Sequence, residues 1–466
     1  MFASASLTTL LFLLLSQDAS GTPTTSTAVV GRSMPIRRLN PSSQNLTLVA
    51  QQAKDQRDVL VVKYGGQSLQ QRGTGYNLYV KSFMSQVYYG SIAIGTPPVS
   101  YDVILDTGSS DLWLTGSACG CGASPTYDPA KSSTFQNLST PFEKYGSAAL
   151  AGYVAEETVQ MAGFSVAKQG FGVVIAPSSA FTTNPVSGVM GLAWSTLSST
   201  KQTPFWQTLA SGGSWDSALF GVQLTRYDNV YNVTQSEPGG VIDMGYTNSS
   251  LYTGSIEYHN LVGTPQYWEI NMNTLTVQGK SIDIAGISTA IIDTGTINIA
   301  GPASAIASIY AQIPGSQAGT GQFEGYYAFP CSTTVIVQFN FGGNNWSMSP
   351  VDFTLFEVST TECLGAFFVS SIGQGGPSWI IGHVFLKNVY SVFKYSPASV
   401  GFAALSETAI AQDGIKGAVP SPTIGAVTFA TNTGAVSSDV SGGVPSSPLS
   451  ILLCFWLASA SIAILF

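Results

Sequence analysis

The feature that most constrains the fold of this chain is a short pattern that occurs twice. Apolar residues lead into Asp-Thr-Gly and a hydroxyl residue in VILDTGS at 103–109, and again 187 residues later in AIIDTGT at 290–296. One such tripeptide fits an ordinary turn after a strand, because Gly and Asp are common turn residues. The repetition asks for a different explanation, since each apolar run delivers a carboxylate where a buried strand would end.

A second short element follows each Asp-Thr-Gly at nearly the same distance. VMG at 189–191 ends 85 residues after Asp106, and IIG at 380–382 ends 89 residues after Asp293. The matched spacing predicts two lobes of one architecture, each presenting one aspartate at the end of a buried strand. Two such lobes, facing each other, would bring the two carboxylates together in one symmetric dyad.

Composition supports a mainly β protein. The 466 residues include 49 Gly and 23 Pro, and only 9% are charged. A chain of this length can bury two sizeable cores, and this composition favours short strands and turns over long helices. We therefore expect an all-β fold of two related β-lobes with a cleft between them.

The N-terminus and the acceptor sequons indicate export. Residues 1–20 contain an apolar run followed by small residues, which resembles a secretory signal peptide, although no Lys or Arg precedes the run. Sequons of the Asn-X-Ser/Thr type fit passage through a glycosylating pathway, and they also arise by chance in chains rich in Ser and Thr. The predicted glycosylation sites are Asn45, Asn137, Asn232, Asn248 and Asn345.

Five cysteines in so long a chain are too few for a disulfide scaffold, so we expect them to staple a fold that already has a core. Cys331 and Cys363 are the natural pair. Cys119 and Cys121 could bond only in a small strained ring, which leaves an unpaired or intermolecular state open. The fifth, Cys454, lies in an apolar C-terminal segment.

That C-terminal segment predicts attachment to a membrane. Residues 449–466 carry no charge and are long enough to be considered for a span. A Ser/Gly/Pro-rich linker at 407–448 precedes them, which is the layout of a GPI-anchor signal whose apolar tail is removed. We favour the anchor because no basic cytoplasmic segment follows the apolar residues.

Charge is divided unevenly along the chain. Residues 1–72 hold 7 Lys and Arg against 3 Asp and Glu, a formal +4, whereas residues 73–466 hold 10 against 22, a formal −12. One interpretation is a disordered basic linker. The other is a propeptide at 21–74 that binds the acidic body by charge and is released when carboxylates become protonated. The acidic body, without a basic stripe, argues against nucleic-acid binding.

Together these features resemble a pepsin-like aspartic peptidase of the secreted, lipid-anchored fungal type, over about residues 75–406. The resemblance implies an N-terminal lobe at 75–255 and a C-terminal lobe at 256–406. The stretches that carry it are DTGSSDLW, IIDTGT, YYGSIAIGTPP at 88–98, the Tyr-Gly-Ser of FEKYGSA at 142–148, YWEINMNTLTVQG at 267–279 and WIIGHVFLKNVYSVF at 379–393.

The resemblance implies that Asp106 and Asp293 share one proton and hydrolyse peptide bonds at acidic pH. The ionised carboxylate would take a proton from a bound water that attacks the peptide carbonyl, and the protonated one would support the developing oxyanion. Glycines would let the backbone approach the carboxylates, threonines would lock the two loops, and hydroxyls would donate to the outer oxygens or merely cap turns. These supporting residues are Thr107, Gly108, Ser109, Thr294, Gly295 and Thr296.

A lid over the cleft is also implied. Tyr145 and Gly146 match the tip of the lid hairpin, whose ring would cover the substrate and exclude water. Trp113 matches the indole that hydrogen-bonds the lid tyrosine. Core packing is the alternative for either aromatic residue taken alone.

The leader contains a further match. LVVKYG at 60–65 resembles the propeptide stretch whose lysine plugs the cleft, so Lys63 is the implied zymogen latch. Its alternative role is a solvated charge on a strand. We expect the leader to be cut between residues 63 and 79.

Two departures from the family pattern lie near the second Asp-Thr-Gly or its partner element. Ile297 replaces a usual Ser or Thr, and His383 occupies a place where an Asp is common. A histidine is cationic below about pH 6.5, so we expect His383 to lower the pKa that governs the acid limb of activity. A packing role is the alternative for this residue.

The serious alternative function is a catalytically inactive pepsin-like relative that serves as a cell-surface binding protein. Such a protein would be expected to have lost an aspartate or the lid tyrosine. With only two histidines, a Ser-His triad or a multi-histidine metal site is hard to assemble. We therefore expect a monomeric hydrolase without metal or cofactor. It would act on proteins and peptides, bind its own propeptide, and reach the cell surface or cell wall by the anchor, or be secreted.

Overall fold

The structure is a computed structural model, and every residue it describes belongs to one compact unit. The predicted signal peptide, the hydrophobic tail and most of the linker lie outside the described residues. The structure describes residues 32–39, 53–54, 56–57, 60, 63–64, 87–120, 125–144, 150–177, 186–226, 237–284, 288–370, 378–414 and 428–429.

Strands dominate the described part of the chain. In the first half they are β1 (Arg32–Leu39), β2 (Val87–Ile94), β3 (Val99–Asp106), β4 (Leu112–Thr115), β5 (Gln136–Lys144), β6 (Leu150–Met161), β7 (Phe164–Pro177), β8 (Gly188–Gly191), β9 (Leu219–Leu224), β10 (Glu237–Met244) and β11 (Tyr252–Asn260). In the second half they are β12 (Glu269–Met272), β13 (Thr274–Val277), β14 (Lys280–Ile282), β15 (Ser288–Ile292), β16 (Ile299–Gly301), β17 (Gln317–Ala318), β18 (Tyr327–Pro330), β19 (Val337–Asn340), β20 (Asn345–Met348), β21 (Thr354–Glu357), β22 (Glu362–Gly365), β23 (Phe367–Val369), β24 (Trp379–Ile381), β25 (Val389–Lys394), β26 (Ser399–Leu405) and β27 (Thr428–Phe429).

Within the described ranges helices are few and short, as the composition predicts. The α-helices are α1 (Phe205–Ser211), α2 (Ala303–Tyr310), α3 (Pro350–Phe353), α4 (His383–Leu386) and α5 (Glu407–Ile410). Short 3-10 helices cover Ser117–Cys119, Pro129–Lys131, Ser195–Leu197 and Gly321–Phe323. In the leader, Ala53, Lys54, Gln56, Arg57, Leu60 and Lys63 are also helical. None of the helices in the described ranges is long and apolar enough to cross a membrane.

The strands of the described residues form four sheets. The largest has 14 strands and joins elements from both halves of the chain. Its order is β11-β26-β25-β9-β10-β1-β2-β3-β8-β4-β7-β6-β5, with β27 paired to β3. The other three are β12-β15-β24-β16-β23, β14-β13-β19-β20 and β17-β18-β22-β21.

The sequence repeat appears as a repeated strand arrangement. In the first half β3 runs parallel to β8, and β4 pairs antiparallel with β8 and parallel with β7. In the second half β15 runs parallel to β24, and β16 pairs antiparallel with β24 and parallel with β23. The prediction of two related β-lobes in an all-β fold is confirmed. The division at residues 255 and 256 remains a prediction, and residue 255 lies within β11.

Burial explains the continuous apolar runs of three strands around the repeat, β8, β15 and β24. Every residue of β8 and β24 is buried, and β15 is buried at all positions but one. Strands covered on both faces need apolar side chains at successive positions, without the alternation of a half-exposed sheet. The two aspartates, at the end of β3 and directly after β15, therefore lie inside the protein and away from bulk solvent.

The leader contributes a strand to the centre of the largest sheet. β1 lies between β10 and β2 and pairs antiparallel with both. Arg37 Nη2 lies 2.9 Å from Asp102 Oδ1 on β3, and Ser91 on β2 donates to the same carboxylate oxygen. Burial raises the pKa of Asp102, although Arg37 and Ser91 act to lower it. Residues 32–39 thus belong to the folded sheet.

The three cysteines within the described residues are all disulfide-bonded. Cys331 and Cys363 form a disulfide between the end of β18 and β22. Cys119 is also disulfide-bonded. Cys121 lies outside the described residues, so its pairing with Cys119 remains a prediction.

The glycosylation sites also remain predictions. Asn137 and Asn345 are exposed, and Asn248 is half-buried, with its side-chain oxygen accepting from the Ser250 hydroxyl at 2.7 Å. Asn45 and Asn232 lie outside the described residues.

Candidate active site

The two repeated strands deliver their aspartates to one buried place. Asp106 is the last residue of β3, and Asp293 directly follows β15. Their backbones are fixed by the second elements of the repeat: Leu192 N–H donates to Asp106 O at 2.8 Å, and Asp293 N–H donates to Ile381 O at 3.0 Å. Both aspartate side chains are at most 6% exposed.

A reciprocal set of hydrogen bonds locks the two loops together. Thr107 Oγ1 donates to Ile292 O at 2.8 Å, and Thr294 Oγ1 donates to Leu105 O at 2.7 Å. In return, Thr107 N–H donates to Thr294 Oγ1 at 3.0 Å and Thr294 N–H donates to Thr107 Oγ1 at 2.8 Å. Each hydroxyl therefore serves the opposite half of the chain, and the two aspartates are held in fixed relation.

The glycines of the repeat are required by space. A Cβ on Gly108 would lie 2.6 Å from Asp293 Cγ, and a Cβ on Gly295 would lie 2.2 Å from Asp106 Oδ1. Each glycine also donates its N–H to the aspartate two residues before it, at 2.9 Å for Gly108 and 2.8 Å for Gly295. Any larger residue would push the two carboxylates apart.

The hydroxyls that follow the glycines bind the other carboxylate oxygens. Ser109 Oγ donates to Asp106 Oδ2 at 2.5 Å. Thr296 Oγ1 donates to Asp293 Oδ2. Hydrogen bonds to the charged form favour ionisation, so each hydroxyl helps to keep its carboxyl group in the ionised form.

Two adjacent leader residues occupy the space at the carboxylates. Lys63 Nζ lies 2.7 Å from Asp106 Oδ1 and 2.9 Å from Asp293 Oδ2. The Tyr64 hydroxyl donates to Asp293 Oδ2 at 2.7 Å, and its ring lies 5.3 Å from that of Tyr267, centroid to centroid. One cation thus bridges both aspartates, while a neighbouring phenol covers one of them.

The two carboxyl groups differ in their electrostatics. Burial raises the pKa of Asp106 above its usual value, even though Lys63 acts to lower it, and the nearby charge of Asp293 adds to the rise. Burial also acts to raise the pKa of Asp293, but Lys63 and the Thr296 hydroxyl outweigh it and hold that pKa well below its usual range. With Lys63 in place, the protonated form is therefore favoured at Asp106 and the ionised form at Asp293.

The lid prediction lies mostly outside the described residues. Trp113 on β4 is buried in a cluster with Phe142, Leu150 and Val154. Tyr145 and Gly146 are not among the described residues, so their roles remain predictions.

The two departures from the family pattern are both buried. His383 Nε2 lies 2.5 Å from Thr294 O, and its ring meets that of Tyr88 edge-on at 4.6 Å. The histidine therefore contacts the backbone of the loop directly after Asp293. Ile297 is buried next to Thr296. The effect of His383 on the acid limb remains a prediction.

Fold and site together define a class of protein. Two β-lobes of one strand arrangement each supply one aspartate from an equivalent strand end, and one lock holds the two together. That is the architecture of the bilobal, pepsin-like aspartic peptidases.

Comparison with known proteins identifies the family. The chain belongs to the eukaryotic aspartyl protease family, whose model matches residues 87–405. It is 42% identical over 352 residues to major aspartyl peptidase 1 of Cryptococcus neoformans var. grubii, covering 72% of each chain. It is 33% identical over 347 residues to cathepsin D of Bos taurus (70% of this chain, 86% of that one) and 32% identical over 336 residues to pepsin A of Sus scrofa (70% and 83%). The chain is an aspartic-type endopeptidase, a hydrolase of peptide bonds.

Some residues at the site were not found by sequence reasoning. Tyr64 directly follows the lysine of LVVKYG, and this adjacency was the only local signal for its bond to Asp293. Asn298 contacts leader residue Gln56, 242 positions away in sequence, and no local pattern indicates that contact. In the described ranges there is no cluster of three or more His, Cys, Asp or Glu that could hold a metal ion.

Proposed function

We propose that this peptidase is made as a zymogen and hydrolyses peptide bonds at acidic pH through Asp106 and Asp293. The observation that carries the proposal is the Lys63 ammonium, which lies within 2.9 Å of one oxygen of each aspartate. A position that can contact both carboxylates at hydrogen-bond distance is the position a catalytic water needs.

The mechanism follows from the partners of each carboxylate. After the leader leaves, a water takes the place of the ammonium and the two aspartates share one proton. The ionised carboxylate removes a proton from the water as it attacks the peptide carbonyl, and the protonated one donates to the developing oxyanion. The proton then passes to the leaving nitrogen. The glycine N–H groups and the hydroxyls of Ser109 and Thr296 keep the carboxylates oriented throughout.

The leader supplies the block at neutral pH. Lys63 and Tyr64 occupy the carboxylates, so a substrate cannot reach them. Acid weakens this hold at two places, because protonation of the Asp106–Asp293 pair removes charge facing Lys63 and protonation of Asp102 removes the charge facing Arg37. Burial favours the protonated form of Asp106 and of Asp102, which have raised pKa values.

Lys63→Met should shift leader release to higher pH. The substitution removes the cation between two buried carboxylates while keeping a long side chain, so the leader binds less tightly near neutral pH. Mass spectrometry after incubation across about pH 3 to 7 gives the fraction of protein cut between residues 63 and 79. Lys54→Met is the matched control, since it removes a leader lysine nine residues earlier, and it should shift the curve much less.

Two results would contradict the latch. One is an unchanged pH of processing in Lys63→Met. The other is a fully active wild-type species that still carries residues 40–75, because an occupied site could not accept substrate.

The C-terminal residues extend the proposal to location. Residues 1–20 direct the chain to the secretory pathway, and 449–466 act as a GPI-anchor signal, which places the body at the cell surface or cell wall. The support is the uncharged tail preceded by the polar linker at 407–448. A monomer that binds only its propeptide and its substrates is sufficient for this activity.

Phosphatidylinositol-specific phospholipase should release the protein from intact cells. The released chain should lack Cys454, because the anchor signal is removed when the lipid is attached. Peptide mapping of the cell-bound protein checks this directly. Recovery of a peptide containing Cys454 from mature protein would indicate a membrane span and contradict the anchor.

A further inference from the structure

The leader makes a second polar contact with the C-terminal half of the chain, besides the one at the carboxylates. Asn298, five residues after Asp293, is 1% exposed. Its Nδ2 donates to Gln56 Oε1 of the leader at 2.6 Å, and a longer contact of 3.5 Å reaches the Tyr326 hydroxyl. Its Oδ1 is buried and accepts no hydrogen bond within the described part of the chain. The amide donor of Asn298 is therefore satisfied by the leader, and its carbonyl acceptor is not.

The surroundings of Asn298 are mostly apolar. The Tyr326 ring stacks on Phe368 with centroids 4.9 Å apart, and both residues pack in a cluster with Ala300 and Ile380. A buried amide in such surroundings is costly unless its donor and acceptor are bonded. When the leader leaves, the Asn298 donor loses its Gln56 partner, and its acceptor has no partner within the described part of the chain.

Arg57, the next leader residue, contacts a nearby segment of the C-terminal half, at residues 324–325. Arg57 donates to the carbonyl oxygen of Glu324, and its Cδ lies 3.6 Å from where a Cβ on Gly325 would be. Side chains of two successive leader residues are thus received by polar groups at 298 and 324–326. Residues 298 and 324–326 therefore form a surface that binds side chains of the leader.

On the basis of the proposed function, we propose that Asn298 is a specificity-determining residue that binds a carboxamide side chain, Gln or Asn, of the peptide substrate. Asn298 offers one acceptor and a donor group together. A carboxamide is complementary to both, whereas an ammonium can only donate and an ionised carboxylate can only accept. The leader already shows half of this pairing, since Gln56 uses its side-chain oxygen for the Asn298 donor.

The test measures kcat/KM of the acid-activated enzyme on one cleavable peptide in which each position in turn carries Gln, norleucine or Lys. The side chain of norleucine resembles that of Gln in length, but it cannot form hydrogen bonds. At one position Gln should be preferred over norleucine by about tenfold, the value of one net hydrogen bond. In Asn298→Leu this ratio should fall to about one, and Asn298→Ser should show the same loss if the leucine variant does not fold.

Gln56→Leu is the matched control. It removes the other partner of the same hydrogen bond, but the residue is absent from the mature enzyme, so the Gln-to-norleucine ratio should stay as in the wild type. A wild-type enzyme that cleaves the peptides with no Gln preference at any position would overturn the inference and leave the proposed function standing. The same holds if the Asn298 variants keep the preference, because Asn298 would then serve only the leader. An activated wild type that cleaves none of the peptides would overturn the proposed function and this inference with it.

Discussion

Asp106→Asn and Asp293→Asn should each reduce peptide cleavage by about 10²–10⁴-fold or more while leaving the fold intact. An amide has nearly the shape of a carboxylate and keeps one acceptor oxygen for the glycine N–H, while the Ser109 or Thr296 hydroxyl, which can also accept, then faces the amide NH₂. An amide cannot, however, share the proton that the pair must pass to and from water. Rates on a defined peptide, with melting temperatures measured in parallel, separate lost chemistry from lost folding.

Asp216→Asn is the matched control for these variants. Asp216 is an exposed aspartate, so its amide variant should retain wild-type activity. Turnover near the wild-type level in either dyad variant would show that the proposed mechanism is wrong.

Asp352→Asn should lower the free energy of unfolding by about 3–5 kcal/mol, because it breaks a buried ion pair by removing one partner. Asp352 Oδ1 lies 2.7 Å from Lys387 Nζ, and its Oδ2 lies 2.9 Å from Arg226 Nε, with the side chains of Asp352 and Lys387 at most 4% exposed. Asp413→Asn is a matched control. It removes a more exposed partner of Arg226, 3.0 Å away, and should cost less. Urea unfolding of the three proteins near pH 5 gives the comparison.

The same variant has a defined pH dependence. Burial acts to raise the pKa of Asp352, but Lys387 and Arg226 outweigh it and lower that pKa below its usual value. A carboxyl whose pKa is lower in the folded state stabilises the fold above its unfolded pKa, and this contribution is lost as the pH falls through the folded pKa. The difference between wild type and Asp352→Asn should therefore persist into mild acid and shrink only in strong acid. A difference that vanished already near pH 5 would contradict this account of the network.

The sequence predicted the parts of the fold that repeat. Two Asp-Thr-Gly motifs, each followed at nearly the same distance by an apolar-apolar-Gly element, were sufficient to infer two lobes. β8, β15 and β24 are almost wholly buried and leave a continuous apolar signal, whereas β3 keeps half-buried positions and leaves a weaker one. The glycines in those elements have a steric reason. A Cβ on Gly191 would lie 2.3 Å from Ser110 C, and one on Gly382 would lie 2.3 Å from Thr296 O.

Contacts between distant segments could not be predicted in the same way. The place of β1 between β10 and β2 depends on strand pairing, which leaves no periodic pattern in either partner. The ion pairs of Asp352 and the bond between Gln56 and Asn298 join residues far apart in sequence, and a single polar residue carries no sign of its partner. The roles of Lys63 and Trp113 were inferred from family resemblance alone.

The measurement that tests the central claim most directly is cleavage of a diverse peptide pool by the acid-activated protein between about pH 2 and 7, with and without an aspartic-peptidase transition-state mimic. We expect cleavage that is greatest in acid, falls toward neutral pH as the shared proton is lost, and is abolished by the mimic. Cleavage that persists at full rate at neutral pH, or that the mimic leaves unchanged, would contradict catalysis by Asp106 and Asp293. Absence of cleavage at every pH after proven removal of the leader would point instead to an inactive binding protein.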